Sequence, residues 1–460
     1  MLNRRRFLGH SCALGVTGAT LGTTLGQLVL AREAVAQQAG DYRALVCILL
    51  AGGNDSYNML VPTGTAQYNE YSAIRSDLAL PANDLIALPG TASNGETYGV
   101  HPGMPELASL FANGEAALLA NVGTLLEAVD AAAVESGAAR VPVGLFSHAD
   151  QINQWQTAAP ADRIADGWGG RIADRMQNVN VANGISMNIS LGGTNVFQSG
   201  NQAAEYSIDA NGDGVVGING YGENSEFGQF RTASIDALLG VNQQGLLRRE
   251  YSQRLRSAID AQSVFTSALS QAPVLTTSFG DSPFSQALRQ IARVIGVRDQ
   301  LGATRQTFFV QVGGWDHHDE VLNNQAAMLP MISQGISEFR NALVELGVFD
   351  SVTTFTTSDF GRTLTSNGRG SDHGWGGHHV VMGGAVNGGQ IYGDYPMLAA
   401  NSPLDVGRGI YIPTTSVDEY FAELALWFGV STADLDYVLP NLRAFYTPGS
   451  PPPIGLMQTT

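Results

Sequence analysis

The sequence contains no lysine, and all 24 of its basic side chains are arginines. These face 41 acidic residues, which gives a formal net charge of −17 at pH 7. Because nucleic acids and anionic membrane surfaces repel negative charge, so acidic a balance disfavours both as partners of the chain as a whole.

Cysteine is almost absent as well. Only Cys47 lies outside the N-terminal segment, which contains Cys12, so disulfides cannot staple the rest of the chain. A lone cysteine in an apolar stretch is most often a small buried hydrophobe. After the first forty residues no run approaches the roughly 20 apolar residues that a membrane span requires, which predicts no span once a signal is removed.

The N-terminus has the pattern of an export signal. Residues 3–8 read Asn-Arg-Arg-Arg-Phe-Leu, a weakly apolar stretch covers 13–31, and residues 34–36 read Ala-Val-Ala, a small-x-small cleavage pattern. We predict a twin-arginine signal peptide at residues 1–36, recognised by the twin-arginine export machinery, and a periplasmic or secreted mature protein. The alternative is a basic amphipathic N-terminus of a cytoplasmic protein.

The rest of the chain alternates apolar strands with amphipathic helices, which favours an α/β fold with a mainly parallel sheet. We expect a single domain over residues 41–446, with a surface insertion near 192–230 and a proline-rich tail at 447–460 extended on the surface. The predicted strands cover residues 43–50, 116–121, 184–190, 306–312 and 352–357. The predicted helices cover residues 103–112, 162–176, 244–271, 284–301, 325–346 and 417–428.

Five of the eight histidines fall between residues 316 and 379, and aspartates stand beside them. Imidazole nitrogen and carboxylate oxygen are donors that suit a divalent metal such as zinc or manganese. Asp316 and His318 directly follow the strand at 306–312, and the alternation of an extended loop points both side chains the same way. Although this could be a solvated polar loop, the second histidine-rich stretch at 372–379 favours a metal centre.

Two further aspartates end predicted strands. Asp55 follows the strand at 43–50, and Asp359 follows the strand at 352–357. Sites form at the carboxyl edge of an open parallel sheet, so both are candidate metal ligands. The alternative is ordinary turn chemistry, because Asp forms Asx turns and caps helices, and Arg362 could simply pair with Asp359.

Five motifs follow one another along the chain: Gly-Gly-Asn-Asp at 52–55, Gly-Gly-Trp-Asp-His-His at 313–318, Ser-Asp-Phe-Gly-Arg-Thr at 358–363, Asn-Gly-Arg-Gly-Ser-Asp-His-Gly at 367–374, and Met-Gly-Gly-Ala-Val-Asn-Gly-Gly at 382–389. In this order they resemble the exported bacterial domain-of-unknown-function family 1501, which is placed beside the alkaline phosphatase/sulfatase superfamily. The resemblance runs from about residue 45 to residue 428. It implies a three-layer, alkaline phosphatase-like α/β fold, in which helices cover both faces of a mainly parallel central sheet and insertions lie on the surface.

The superfamily resemblance implies two metal sites. Asp316, His318 and His373 would hold one ion, although the superfamily usually spaces the first two residues four apart. Asp55 and Asp359 would hold the other ion. That second site lacks the superfamily's usual histidine, because a phenylalanine follows Asp359. The residues that could fill the vacancy are Asp372, His378 and His379.

Related enzymes also place a nucleophilic Ser, Thr or modified Cys at a helix start beside the metals. No sulfatase-type Cys-x-Pro-x-Arg motif occurs in this chain. Ser147 is the best candidate nucleophile and Ser56 the second, while Arg362 could hold a tetrahedral oxyanion through its fork of donors. Ser147 and His148 could equally be a helix cap and a histidine at the edge of the core.

A separate stretch matches the first half of a calcium loop. Asp209, Asn211 and Asp213 place oxygen donors at positions one, three and five, and a glycine follows. Position twelve is Gly220, so the usual bidentate glutamate is missing. A structural calcium ion and a plain turn cluster are both open interpretations.

Together these observations predict an exported metal-dependent hydrolase of phosphate or sulfate esters, acting on a small-molecule or polymer ester. The concentration of His and Asp at strand ends favours catalysis. The alternative is a non-catalytic metal-binding envelope or surface protein that keeps the fold, which Phe360 and the lack of a clear nucleophile favour.

Overall fold

The structure is a computed structural model, and the residues it describes are 42–180, 184–211, 217–241, 245–399 and 402–458. The predicted signal peptide at 1–36 lies outside the described residues, as does Asp213 of the candidate calcium loop. From Arg43 onward the chain forms one compact unit.

The described strands form a nine-stranded main sheet, a three-stranded sheet and a two-stranded hairpin. In chain order they are β1 (Arg43–Leu50), β2 (Leu60–Pro62), β3 (Ile86–Ala87), β4 (Tyr98–Val100), β5 (Ala116–Gly123), β6 (Asn188–Ser190), β7 (Tyr206–Ser207), β8 (Arg305–Val312), β9 (Val352–Ser358), β10 (Arg362–Ser366), β11 (Ser371–His373), β12 (Gly377–Met382), β13 (Ile391–Tyr392) and β14 (Thr415–Ser416).

The main sheet is largely parallel. Its strands lie in the order β13-β5-β12-β9-β1-β8-β6-β7, and β14 also pairs with β5. Strand β1 pairs in parallel with β8 and β9, with Leu50 opposite Val312 on one side and Ser358 on the other. Among the described strands of this sheet, only β12 runs antiparallel to both of its neighbours. The predicted mainly parallel α/β sheet is confirmed.

The described helices of four or more residues are, in chain order, α1 (Thr65–Arg75), α2 (Pro105–Ala112), α3 (Ala131–Glu135), α4 (His148–Thr157), α5 (Trp168–Arg175), α6 (Glu226–Gly240), α7 (Leu246–Leu269), α8 (Pro283–Gly296), α9 (Val321–Glu345), α10 (Val417–Phe428) and α11 (Leu435–Val438). Single turns of 3-10 helix lie at Ser56–Asn58, Ser76–Leu78, Ala82–Asp84, Phe349–Ser351 and Leu442–Ala444. None of the helices in the described part of the chain is long and apolar enough to cross a membrane.

Helices pack on both faces of the main sheet. On one face, Leu45 and Leu49 of β1 share a buried cluster with Trp155 of α4, Trp168 of α5 and Phe421 of α10. The intervening side chains of β1 point to the other face and are also buried. On that face α8 contacts β8, and α9 packs against α8 and α2. Burial on both faces explains why β1 is a continuous apolar run rather than an alternating one.

Several predicted helices are shorter than expected, and the largest shift at an N-terminus concerns the helix predicted at 162–176. The helix predicted at 162–176 begins only at Trp168. Gly167 explains the difference, because its extended backbone is fixed by a hydrogen bond from its N–H to the Ser199 carbonyl. That partner lies 32 residues away in the sequence, so no local pattern indicates the contact.

The end of the C-terminal tail is docked on the fold. Leu456 is fully buried and Met457 is nearly so. The Glu423 carboxylate accepts hydrogen bonds from the backbone N–H groups of Ile454, Gly455 and Met457. The prediction of a tail lying extended on the surface is therefore wrong for these residues, because an apolar pair follows the prolines and packs into the core.

Candidate metal centre

The carboxyl ends of β1, β8 and β9 bring three distant loops together. Because these strands are parallel neighbours, the loops that follow them meet at one edge of the sheet. Gly52 allows the first two loops to touch. Its φ of +123° suits glycine, and a Cβ atom there would lie 2.4 Å from the backbone nitrogen of Asp316. Any other residue at position 52 would displace the loop that carries Asp316.

Four side chains converge beside this edge. His148, Asp316 and His373 each offer a ligand atom, and these atoms lie within 4.8 Å of one another. His318 joins them, since its Nε2 is 3.1 Å from Asp316 Oδ1 and 2.9 Å from His373 Nε2. The Nε2 atoms of His148 and His373 each lie 3.6 Å from an Asp316 oxygen. The structure thus brings the predicted Asp316, His318 and His373 together and adds His148.

The spacing of these candidate ligand atoms suits a metal ion. Zinc binds imidazole nitrogen and carboxylate oxygen at about 2.0–2.1 Å, which sets the ligand atoms of a tetrahedral site roughly 3.3 Å apart. The Nε2 atoms of His318 and His373 lie 2.9 Å apart, and the three Nε2 atoms lie 3.1 to 3.6 Å from an Asp316 oxygen, which brackets that separation. A single divalent ion fits His148, Asp316 and His373, and His318 is close enough to the last two to be a further candidate ligand.

The Nδ1 atom of each of the three imidazoles also has a hydrogen-bond partner. His148 Nδ1 lies 2.7 Å from Asp359 Oδ2, His318 Nδ1 lies 3.1 Å from Asp372 Oδ1, and His373 Nδ1 lies 2.8 Å from the Phe146 carbonyl oxygen. A carbonyl and ionised carboxylates only accept hydrogen bonds, so each Nδ1 must carry the proton and each Nε2 keeps a free lone pair. Metal-binding histidines are typically oriented in this way by a second partner.

The Nε2 atoms of His318 and His373 lie at a distance that suits a shared proton or a shared metal ion. Two lone pairs 2.9 Å apart repel each other unless a proton or a metal ion lies between them. Burial lowers the pKa of His373, which disfavours its protonation at neutral pH.

Arg362 fixes the carboxylate of Asp316. It is only 1% exposed, and its Nη1 donates to Asp316 Oδ1 and to the Gly52 carbonyl, each at 2.9 Å. Its Nε and Nη2 donate to the Ser371 carbonyl. Burial alone would raise the pKa of Asp316, but Arg362 and the nearby imidazoles outweigh it, and the pKa is lowered. The structure therefore places Arg362 behind Asp316, out of reach of a substrate oxyanion.

The centre is open to solvent. The side chains of Asp316 and His318 are 47% and 45% exposed, and those of His148 and His373 are partly exposed. A structural zinc site is normally closed to solvent, whereas these four side chains lie where a small molecule can reach them.

Asp359 supports the centre from behind. It is fully buried, which raises the pKa of its carboxyl, and the Gly52 N–H and the His148 ring both donate to it. Phe360 stands where the superfamily resemblance placed a ligand. Its ring lies 4.9 Å from the His148 ring and 4.6 Å from the His373 ring, so it forms an apolar wall beside the imidazoles.

Asp55 lies in a neighbouring buried cluster. Its Oδ2 is 2.5 Å from Arg75 Nη2, and both side chains are fully buried. The Ser371 hydroxyl donates to the same oxygen at 2.6 Å. The structure therefore pairs this predicted ligand with an arginine. Asp55 is linked to the centre only indirectly, because the Ser371 carbonyl in turn receives Arg362.

Three residues could have replaced the histidine that Phe360 displaces, and of these His378 and His379 lie in the core while Asp372 reaches the centre. Burial lowers the pKa of both His378 and His379 to about 3, so they are neutral members of the core. His378 Nδ1 accepts the backbone N–H of Asn121, and the His379 ring packs against Trp155. In contrast, Asp372 reaches the centre through its contact with His318.

Ser147 forms the N-cap of α4, where its side chain accepts the backbone N–H of Asp150. This matches the alternative interpretation of Ser147 and fixes the start of the helix. His148 is the first residue of that helix, and its ring is thereby aimed at the centre. The sequence offered only one signal for His148, which was its position after a capping serine.

The calcium-loop residues that are described form a local turn. The backbone N–H of Asn211 donates to Asp209 Oδ1 at 2.8 Å, which is an Asx turn. Because Asp213 lies outside the described residues, calcium binding at this loop stays a prediction.

The family model described as protein of unknown function (DUF1501) matches residues 42–436, so the chain belongs to that family. The identification made from the motifs is confirmed. No protein with a curated description matches the chain.

Solved structures that resemble the chain include Ps i-CgsB in complex with k-i-k-neocarrahexaose, at 9% identity and a TM-score of 0.34, over 85% of this chain and 72% of that one. Another is the PsFucS1 sulfatase from Pseudoalteromonas sp., at 9% identity and a TM-score of 0.34, over 86% of this chain and 70% of that one. Likeness at this level carries no argument about activity.

Proposed function

We propose that this chain is a metal-dependent hydrolase of phosphate or sulfate esters. The observation that supports the proposal is the convergence of three imidazole Nε2 atoms on one solvent-accessible carboxylate. The residues that would hold a zinc or manganese ion are His148, Asp316, His318 and His373. An ion bound there would supply Lewis acidity and lower the pKa of a water molecule.

The charge of the ligand set suits an anionic substrate. Asp359 and Asp372 lie within hydrogen-bond distance of the Nδ1 atoms of His148 and His318, so each ring would offer Nε2 to an ion as a neutral ligand. Only Asp316 among the four ligands is negative. One carboxylate leaves a divalent ion with a net positive charge, which attracts an ester anion.

Arg408 would bind the oxyanion, the role that the sequence suggested for Arg362. Its side chain is 59% exposed and pairs with Asp372, whose other oxygen contacts the His318 ring. Arg408 itself has a φ of +61° and lies between two glycines that also have positive φ. Asp372 thus lies between the Arg408 guanidinium and the candidate ligand His318. An exposed guanidinium in such a position can contact a tetrahedral anion through two donors.

A non-catalytic metal-binding protein is the second candidate. The observation that favours it is the number of protein ligands, because four can complete a tetrahedral zinc site and leave no position for substrate. The exposure of Asp316 and His318 favours the hydrolase instead.

Metal analysis and an ester panel test the proposal together. We expect about one divalent ion per chain in the wild type and in an Asp319→Asn control, and hydrolysis of at least one phosphate or sulfate ester by both. His373→Ala should lose the ion and the activity, while Arg408→Gln should keep the ion and raise KM. A wild type with stoichiometric metal and no turnover of any ester would support the non-catalytic alternative. Turnover that survives in His373→Ala would eliminate the hydrolase proposal.

We also propose export through the twin-arginine pathway to the periplasm or beyond, on the basis of the N-terminal pattern. Replacing Arg4 and Arg5 by lysine should retain the protein in the cytoplasm, which cell fractionation would show. Unchanged export of that variant would contradict the assignment.

A further inference from the structure

A helical hairpin on the surface carries most of the exposed large apolar side chains of the described chain. Its two helices are α6 and α7, which contact each other. Twelve large hydrophobic residues are exposed in the described part, and seven of them lie between residues 227 and 251. These seven are Phe227, Phe230, Leu238, Val241, Leu246, Leu247 and Tyr251. Apolar clustering of this kind marks an interaction surface.

Most of the hairpin does not pack into the core. In α6 only Gly228 is buried, and in α7 the first buried residue is Ile259. The thirteen residues of α7 before it, at 246–258, contain no buried position. At 1.5 Å per residue they form about 20 Å of helix that does not pack into the core.

The end of the hairpin is basic. Arg248 and Arg249 directly follow the exposed pair Leu246 and Leu247. Within the described part of the chain, no carboxylate lies within ion-pair distance of either arginine. The acids nearest in the two helices are already paired, Glu250 with Arg254 and Asp236 with Arg256. The tip therefore combines exposed leucines with two uncompensated positive charges.

We propose that this hairpin tip docks on an anionic lipid surface. The leucines would enter the boundary between headgroups and acyl chains, and the two arginines would contact lipid phosphates. The net charge of −17 disfavours such a surface for the chain as a whole. However, charges are screened over about 8 Å at physiological salt. The electrostatic attraction at a lipid surface therefore depends on the charges close to the contact, and at the tip these are Arg248 and Arg249, unpaired among the described residues.

A second copy of the chain is the competing occupant of the apolar face. A two-fold contact between identical tips would set Arg248 and Arg249 of each copy against the same pair of the other. The two hairpin acids nearest those arginines, Glu250 and Asp236, are already paired, while Glu226 and Asp260 lie farther along the two helices. The charge distribution therefore favours lipid over self-association.

Vesicle sedimentation tests the proposal on the full chain. We expect binding to vesicles of phosphatidylglycerol and phosphatidylcholine, loss of binding at high salt, and little binding to phosphatidylcholine alone. Each basic residue near an anionic surface strengthens binding about fivefold, so Arg248→Gln/Arg249→Gln should weaken it about 25-fold. Leu246→Ser/Leu247→Ser should weaken it at least about tenfold. All four positions are exposed, so these variants should fold as the wild type does.

Matched controls lie outside the hairpin. Val274→Ser removes an equally exposed apolar side chain, and Arg289→Gln removes an exposed arginine. Every variant keeps the N-terminal segment, so any contribution from that segment is common to all. No binding by the wild type, or an equal loss in the controls, would overturn the proposal. A dimer in light scattering that Leu246→Ser/Leu247→Ser dissociates would overturn it in favour of a second copy.

Discussion

Replacing Asp359 by asparagine should weaken metal binding without touching a metal ligand. Asp359 Oδ1 accepts the Gly52 N–H at 3.0 Å, and Oδ2 accepts His148 Nδ1–H at 2.7 Å. An asparagine has only one oxygen for these two donors. If that oxygen stays with Gly52, the amide NH2 faces His148 Nδ1 and drives the ring proton to Nε2, which blocks the ligand atom. If the amide flips, the partly buried Gly52 N–H is left without an acceptor.

Either orientation of the asparagine side chain should weaken zinc binding by a measurable amount. Removing the partner that orients a metal-binding histidine typically weakens metal affinity 10- to 100-fold. This corresponds to about 1.4 to 2.7 kcal/mol. The alternative cost, a buried donor without an acceptor, is of similar size at about 1 to 3 kcal/mol. We therefore expect the dissociation constant for zinc to rise by one to two orders of magnitude in Asp359→Asn.

Competition with a chromophoric zinc chelator measures that dissociation constant. Asp319→Asn is the matched control, because it removes one negative charge beside His318 but holds no imidazole; Asp319 pairs with the exposed Arg369. Circular dichroism would verify that both variants are folded. Equal zinc affinity in Asp359→Asn and the wild type would refute this account of His148. An equal loss in Asp319→Asn would show that charge, rather than the orientation of the ring, is responsible.

Three further predictions concern buried charged groups. Burial raises the pKa of Asp418 to about 7, so the folded protein keeps a proton that the unfolded chain releases near pH 4. The stability due to this group is complete below pH 4 and is lost as pH rises to 7. Urea unfolding of the wild type should therefore lose about 3 kcal/mol between pH 5 and pH 8 relative to Asp418→Asn, and parallel pH profiles would contradict this. Arg75→Met leaves Asp55 buried without its cation, so the free energy of unfolding should fall by about 3–5 kcal/mol, and a fall within experimental error would show that the pair is not structural. Glu423→Gln replaces one of the two oxygens that hold the tail, which should make residues after 446 sensitive to carboxypeptidase, and a tail as resistant as in the wild type would argue against the clamp.

The sequence predicted elements best where local signals agree. Strand β1 has the predicted bounds because an apolar run ends at two glycines. Helix α10 has the predicted bounds because Ser416 and Glu419 form a capping box and Gly429 ends the helix with a φ of +108°. By contrast, the strand predicted at 184–190 covers only Asn188–Ser190, since its pairing with β8 starts at Asn188 and depends on contacts distant in sequence.

Part of the candidate site could be predicted because its residues directly follow a predicted strand. Asp316 and His318 follow a strand, and parallel strands end at one edge, so topology alone brings their loop to the site. His148 was missed because it begins a helix rich in Gln and Asn, which gives no apolar periodicity. The contact of Asp55 with Arg75 was also beyond prediction, because α1 has no motif to show that its arginine points at the end of β1.

The four side chains at the centre come from distant parts of the chain, with His148 at the start of α4 and His373 at the end of β11. A ribosome has to synthesise 225 further residues after the first ligand before the last one exists. A nascent fragment therefore lacks part of the candidate site until residue 373 has been added. An ion held as proposed above would find its full ligand set only on the completed chain, so the supply of metal in the compartment where folding ends would decide which ion is acquired.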